Sequence, residues 1–345
     1  MTHTKQSGNP SPEEVTNPGS PTPLARAGRT TATLVLVLLT VLAGALGPLQ
    51  AAANGQLGDT LGDGHAAATI SFGSGLILMI LIVAVRSRTR RQAMSLPRLV
   101  RSGQIRWWNC LAGLCGVMVV LSEGVTVGTL GVAVFQISLI SGLVTSGVIC
   151  DRLGITEQGK QPISVPRLTG AVLTIVATII AISPNLHVPG TVALALMPFV
   201  AGLLAGWQPA GNAAVADGTG SMLVSIGFNF LVGFVALASA LGIRALLNGV
   251  HFDFPAQWWL YSGGALGLMS IAAMAALVRG LGLLLLGIAS VAGQLLGSLA
   301  LDAAFPALGH PVHLATLLGT LLALVAAAIG TLPTRRTQLP EGEKP

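Results

Sequence analysis

The sequence predicts an all-α membrane protein with ten transmembrane helices, arranged as two inverted repeats of five. Hydrophobic residues make up 52% of the chain and charged residues only 9%, whereas soluble domains carry about 25% charged residues. Apolar stretches of a length that can cross a bilayer follow one another along the chain. A motif around Gln50 recurs around Gln208, which indicates an internal duplication.

Ten apolar stretches approach the roughly 20 residues that a membrane-spanning helix needs. Numbered as spans 1 to 10, they cover residues 31–53, 66–85, 107–122, 127–149, 167–184, 192–214, 221–243, 258–277, 281–301 and 313–332. Residues 31–184 form the first five-helix repeat, and residues 185–332 form the second. Span 1 ends in three alanines like a signal peptide, but it is longer than the roughly 7 to 15 residues of a signal core. Because its counterpart, span 6, lies inside the chain, we expect span 1 to be retained.

The segments outside the spans set the orientation. Residues 1–30, rich in Pro, Ser, Thr and Gly, are typical of a disordered tail, and residues 333–345 form a C-terminal tail. If the N-terminus is cytoplasmic, 17 of the 18 Lys and Arg residues lie on the cytoplasmic side and only Arg244 lies outside. This asymmetry predicts that both termini are cytoplasmic, in the inner membrane of a bacterial-type cell. Since each half crosses five times, the halves are inserted in opposite orientations.

Two constant offsets relate the halves. The pattern Q-x-x-x-N, with an Asp five residues after the Asn, occurs at residues 50–59 and again 158 residues later. The same offset relates Phe72 to Phe230 and Gly75 to Gly233. An offset of 151 relates Trp107-Trp108 to Trp258-Trp259, Gly113 to Gly264, Gly116 to Gly267, Gly131 to Gly282, Gly142 to Gly293 and Asp151 to Asp302.

These blocks, together with Ser71-Phe72-Gly73-Ser74-Gly75 and Asp151-Arg152-Leu153-Gly154, resemble the YdcZ-type family of the drug/metabolite transporter superfamily, which is made up of EamA-like ten-helix carriers. The resemblance extends from about residue 31 to residue 332. It implies a carrier in which two inverted five-helix repeats surround a central cavity. Efflux or exchange of small metabolites is the activity that it implies.

Amide side chains inside the spans are the first candidates for a transport site. Gln50 and Asn54 are four residues apart and lie on one helix face, as do Gln208 and Asn212. Gln50 follows about 30 Å of helix, which places the first pair near the outer mouth and the second, by inversion, near the inner mouth. We interpret the pairs as two gates. The alternative is that these amides hold neighbouring helices together.

Four further polar residues are candidates for the cavity wall. Gln136 and Gln294 lie near the centres of spans 4 and 9, where a polar side chain is costly unless it has a partner or faces water. Asn229 and Ser71 are the other two. For each of them, a structural contact between helices is the alternative.

Spans 1 and 6 carry prolines and one unusual aromatic residue. Pro48, Pro198 and Pro209 are expected to interrupt spans 1 and 6 near the amide pairs, and helix breaks in matching segments of the two halves are typical of a transporter site. Trp207 directly precedes Gln208. It either stacks on the transported solute or packs between helices.

Glu123 is the candidate for proton coupling, because coupled carriers need a titratable group within the membrane. It follows the predicted end of span 3, so a solvated loop position is the alternative. Asp59, Asp151, Asp217 and Asp302 lie at span ends, where helix capping or turn formation explains them.

The sequence therefore favours a secondary active transporter that exports or exchanges a small neutral or zwitterionic metabolite by alternating access. A passive channel or a non-transporting membrane scaffold is the alternative, and an intramembrane enzyme is the least supported class because no G-x-S-x-G motif occurs. The expected partners are a small-molecule substrate and the lipid bilayer. Homodimerisation through the Gly-rich faces of spans 5 and 10 stays open, and no nucleic acid, cofactor or metal is expected.

Overall fold

The computed structural model describes residues 23–155, 160, 164–187, 189–249, 251–305 and 312–332. The predicted disorder of residues 1–22 and the predicted C-terminal tail lie outside the described residues. The helices in the described ranges are α1 (Pro23–Gly44), α2 (Leu46–Leu61), α3 (Gly64–Val85), α4 (Ser87–Arg101), α5 (Gly113–Leu130), α6 (Val132–Leu153), α7 (Val165–Ile182), α8 (Thr191–Ala205), α9 (Gln208–Thr219), α10 (Met222–Asn248), α11 (Gly263–Ala304) and α12 (Leu314–Gly330).

These helices account for the ten predicted spans. Nine segments of the described chain are long and apolar enough to cross a membrane, and α12 is a tenth, of 17 residues. Span 1 consists of α1 and α2, span 6 consists of α8 and α9, and spans 8 and 9 are the two parts of α11, which Gly282 divides. Each remaining span is a single helix: span 2 is α3, span 3 is α5, span 4 is α6, span 5 is α7, span 7 is α10 and span 10 is α12.

Several boundaries differ from the prediction. Helix α1 begins at Pro23, inside the stretch predicted to be disordered, because Leu24-Ala25-Arg26-Ala27 consists of strong helix formers. Spans 1 and 6 extend to Leu61 and Thr219, and span 3 extends to Leu130. These helix ends are polar and rich in glycine, so a prediction based on apolar stretches ends each span too early.

Spans 1 and 6 each break four residues before a proline, although the two prolines are not repeat counterparts, since Pro48 corresponds to Gly206 and Pro209 to Ala51. Helix α1 ends at Gly44, four residues before Pro48, and α8 ends at Ala205, four residues before Pro209. A proline lacks the N–H that would bond to the carbonyl four residues earlier, and its ring collides with that carbonyl. Pro198, by contrast, lies inside α8 without breaking it.

Glycines adopt the same backbone conformation in both halves. Gly62 and Gly220 are left-handed, with φ of 63° and 69°, at the ends of spans 1 and 6. Gly131 and Gly282 have φ/ψ of 81°/162° and 71°/166° where spans 4 and 9 begin. A side chain would strain the backbone in these regions, so each glycine is required by its turn. The duplication therefore extends to individual dihedral angles.

The halves pack through reciprocal contacts. Span 1 packs on span 9 as span 6 packs on span 4, and spans 2 and 7 pack on each other. A Cβ at Gly293 would lie 3.0 Å from the Cα of Gly44, and one at Gly202 would lie 3.0 Å from the Cα of Gly142. The two contacts correspond to each other, because Gly44 is the repeat counterpart of Gly202 and Gly142 that of Gly293. Such exchange of partners is the signature of a two-fold axis. Because each half crosses five times, this axis lies in the membrane plane and the repeats are inverted.

The Gly-rich faces of spans 5 and 10 pack against each other within one chain. A Cβ at Gly170 would lie 3.0 Å from the Cα of Gly330, and one at Gly319 would lie 2.9 Å from the Cβ of Ala181. Small residues allow this close approach in a membrane. The surface expected to mediate a homodimer is therefore already occupied within the chain.

Candidate functional site

A cavity of about 350 Å³ lies at the centre of the molecule, between spans 1, 2, 3, 6, 7 and 8. Both members of many repeat pairs line it, so it straddles the pseudo-two-fold axis. The pairs are Gln50 and Gln208, Ser71 and Asn229, Phe72 and Phe230, Gly113 and Gly264, Gly116 and Gly267, Val119 and Ser270, and Val120 and Ile271.

Two phenylalanines mark the axis. The rings of Phe72 and Phe230 are 5.6 Å apart between centroids and are tilted by 59°. The Phe72 ring lies against Gly233 and the Phe230 ring lies against Gly75, so that a methyl group at either glycine would collide with the facing ring. This reciprocal packing joins spans 2 and 7 and forms an apolar wall of the cavity.

Amides provide most of the polar surface of the cavity. Asn229 donates from Nδ2 to Oδ1 of Asn212 at 2.6 Å, and Ser225 donates to the backbone carbonyl of Asn212 at 3.0 Å. Gln50 and Gln208 face the cavity from the two halves. Every side chain that lines the cavity in the described chain is uncharged. Since amides both donate and accept hydrogen bonds, the site suits a neutral or internally balanced solute.

Glu123 is enclosed next to the cavity. It is only 3% exposed, and its Oε2 accepts from Asn54 Nδ2 at 2.6 Å and from Gln50 Nε2 at 3.4 Å. The solvated loop position considered for Glu123 is therefore wrong, because span 3 continues as a helix to Leu130. The sequence did not reveal the link between Glu123 and the first amide pair.

The cavity is sealed on one side. There α2 packs against span 3, and the Gly58 and Gly64 backbones meet Gly124 with no room for a side chain. Asn54 is fully buried at the same level. We call this the sealed side.

On the opposite side of the cavity, the corresponding helices of the second half lie apart from each other. We call this the arginine side, because the Arg-rich segment 86–106 lies there and packs through α4 on α9. In the first half, α2 packs closely on α5. In the described part of the second half, their counterparts, α9 and the first part of α11, make far less contact. Asn212 and Met222 line the cavity on this side and are partly exposed. The two halves therefore have different conformations: the helices that pack together in the first half lie apart in the second half.

Several expected positions need correction. Gln50 and Gln208 both lie at the middle of the molecule and not at opposite mouths, because span 1 continues for 11 residues after Gln50. Gln136 and Gln294 do not line the cavity, since spans 4 and 9 pack on spans 6 and 1 one helix layer away. Gln294 donates to Ser290 Oγ at 3.2 Å within its own helix. Trp207 does not line the cavity either.

Asp302 has a capping role that reaches across the halves. Its carboxylate accepts from the backbone N–H groups of Val132 and Ala133 at 3.0 and 2.8 Å, at the start of span 4. Capping was the expected function of Asp302, but its target in the other half could not be predicted from its position in the chain. The contact fixes the end of span 9 to the start of span 4.

Comparison with known families gives a match that occurs twice along the chain. A family model described as "Putative inner membrane exporter, YdcZ" matches residues 35–180 and again residues 193–329. The two matches coincide with the two halves. A comparison with curated proteins finds no match.

Proposed function

The chain belongs to the YdcZ family of inner membrane exporters, and from this we propose that it is a secondary active transporter that exports a small neutral or zwitterionic metabolite by alternating access. The central cavity is the proposed binding site. Gln50, Gln208, Asn212 and Asn229 supply hydrogen bonds, and Phe72 and Phe230 supply apolar contact.

One observation carries the proposal: the cavity lies on the axis that relates the halves, yet the halves differ in conformation around it. If the halves exchange conformations, α9 closes on span 8 and α2 separates from span 3. The cavity then faces the other side without moving, as in transporters built from inverted repeats.

The exchanged state has recognisable contacts. The repeat counterparts of Gly58 and Gly124 are Ala216 and Ala275, which are small enough for close packing. In the structure, the Asp59 carboxylate lies against Gly128. The counterparts of that pair are Asp217 and Arg279, so closure of the arginine side brings opposite charges together.

Protons are the proposed driving ion. Glu123 is a carboxyl group enclosed between spans 1 and 3, and the counterpart of Glu123 in the second half is Met274. Opening of the sealed side parts these helices and gives Glu123 access to water. In the conformation seen here, Gln50 links Glu123 to the central cavity, which opens on the arginine side. A proton taken up by Glu123 while the sealed side is open would then be released through the cavity on the arginine side, so that it crosses the membrane during the cycle.

We also propose that both termini are cytoplasmic, because the arginine side then satisfies the positive-inside rule. In this orientation the structure is open toward the cytoplasm and closed toward the outside, ready to receive a solute for export.

The test begins with a comparison of metabolites released by cells that express the protein or its Gln208→Leu variant. A compound released only with the unaltered protein is then measured by counterflow in proteoliposomes. Flux that saturates and is accelerated by solute on the far side supports a carrier. Flux that rises linearly with the gradient, or release that is identical for the variant, contradicts the proposal.

A further inference from the structure

A second cavity, of about 850 Å³, lies between spans 2 and 7 and beneath α4 on the arginine side. We call it the lateral groove. Its walls are almost entirely apolar, with Met79 and Val83 on span 2 and Phe228 on span 7. Ile80 and Leu231, which also line it, are 56% and 41% exposed, so the groove faces the bilayer.

Helix α4 forms the roof and is specific to one half. It is amphipathic, burying Leu96 and presenting arginines on its other face. Gln92 donates to the carbonyl of Gly220 at 2.9 Å, which ties α4 to the end of span 6. The corresponding connection in the second half, residues 249–257, contains no helix in its described residues. The duplication therefore does not explain α4.

The rim of the lateral groove is positively charged. Residues 86–106 contain seven arginines and no Asp or Glu. Two of these arginines, Arg90 and Arg101, line the groove. Neither forms an ion pair with a residue that the structure describes. Arg90 donates to the carbonyl of Ala84 at 3.3 Å, which holds its guanidinium at the end of span 2.

We propose that the lateral groove is a binding site for an anionic phospholipid. An acyl chain would occupy the apolar space between spans 2 and 7, and the phosphate would lie at the basic rim to which Arg90 and Arg101 belong. Arginine guanidinium groups form strong charge-assisted hydrogen bonds with phosphate. Basic pockets between transmembrane helices are suited to such headgroups. The site is separate from the central cavity and does not depend on the proposed transport activity.

Native mass spectrometry of the purified full-length protein tests the site, with phosphatidylglycerol and phosphatidylcholine as probes. The double variant Arg90→Gln/Arg101→Gln is expected to bind phosphatidylglycerol on the order of tenfold more weakly. The control, Arg88→Gln/Arg91→Gln, removes the same charge from exposed positions outside the groove and is expected to retain binding. Ala93→Trp, which fills the groove without changing its charge, is expected to reduce binding as well.

Four results would overturn the proposal. Equal loss in the two double variants would indicate general attraction to a basic surface. Equal binding of phosphatidylcholine would remove the role of the headgroup charge. Full binding by Ala93→Trp, or displacement of the lipid by millimolar glycerol 3-phosphate alone, would show that the apolar groove holds no acyl chain. Thermal unfolding of every variant checks that the helices remain folded.

Discussion

At the scale of the residue, Glu123 and Asn54 form the pair on which the proposed proton coupling depends. An asparagine donates through its amide nitrogen and accepts through its oxygen, so it can bond to a carboxylate or, after a flip, to a carboxylic acid. The Oδ1 atom of Asn54 has no partner in the described chain and is available for the second arrangement. Asp59 lies further along the same helix, against Gly128. The pair can therefore hold Glu123 in either protonation state.

Replacement of Glu123 by Gln keeps the size of the side chain and removes its ability to bind and release a proton. We expect Glu123→Gln to retain exchange of the solute across proteoliposomes without a gradient but to lose accumulation driven by a pH gradient. Asp253→Asn, the same chemical change at an exposed loop residue, is the control. Accumulation by Glu123→Gln at the normal rate would exclude Glu123 as the coupling group.

A methyl group at Gly233 is expected to destabilise the protein. Gly233→Ala meets the Phe72 ring, and overpacking of this kind costs about 1–3 kcal/mol. Gly242→Ala, in the same helix with open space around it, is the control and should have little effect. Phe72→Leu should restore part of the stability lost by Gly233→Ala. Thermal unfolding in detergent measures all three, and equal midpoints for the two Ala variants would contradict the packing.

At the scale of the element, the sequence predicted helix breaks better than helix ends and faces. Of the three prolines expected to interrupt spans 1 and 6, Pro48 and Pro209 follow helix breaks, and Pro198 lies inside an unbroken helix. The end of span 3 was not predicted, because the segment from Ser122 to Gly128 lacks a strong apolar signal. Glu123 was therefore placed outside the helix. Hydropathy also does not tell which face of a buried helix meets a cavity. For that reason Gln136 and Gln294 were assigned to the cavity wall, although they do not line the cavity.

Asp217 and Arg279 are expected to pair when α9 closes on span 8. Both are exposed in the structure. Because exposed ion pairs contribute about 0.2–1 kcal/mol, Asp217→Asn and Arg279→Gln should each slow transport by up to about fivefold. The exchanged variant Asp217→Arg/Arg279→Asp should recover most of the rate in a proteoliposome assay. If its rate equals the product of the two single losses, the charges do not meet during the cycle.

Asp63, which caps the start of span 2, is expected to make stability depend on acid pH. It bonds to Arg244 at 2.7 Å and to two backbone N–H groups. Burial alone would raise the pKa of Asp63, but these bonds outweigh burial and lower the pKa from its ordinary value of 3.8. A lowered pKa in the folded state stabilises the protein above pH 3.8, and the stabilisation is lost as the pH falls through the lowered value.

Thermal unfolding over a pH series checks this prediction. Asp63→Asn should be less stable than the unaltered protein at neutral pH, and the difference should shrink on acidification. Asp253→Asn is again the exposed control. A difference that stays constant down to the lowest pH would show that the carboxylate contributes through shape and not through its charge.

At the scale of the whole molecule, the apolar stretches predicted the number of spans, and the constant offsets, together with five crossings in each half, predicted the inverted arrangement. They did not locate the cavity, because Gln50 and Gln208, which both line it where the two-fold axis passes, were expected at opposite mouths. The difference between the sealed side and the arginine side could not be predicted. Both halves carry nearly the same motif, and one motif is compatible with either conformation.

Alternation of these two conformations is tested most directly by distances between spin labels on both sides of one molecule. The pair Gln56→Cys and Val125→Cys reports spans 1 and 3, and its repeat counterpart, Ala214→Cys and Ala276→Cys, reports spans 6 and 8. All four positions are at least partly exposed, and the native cysteines are buried. In nanodiscs, addition of the exported solute should lengthen the first distance and shorten the second. If both distances change in the same direction, or neither changes, the two halves do not exchange conformations and alternating access is contradicted.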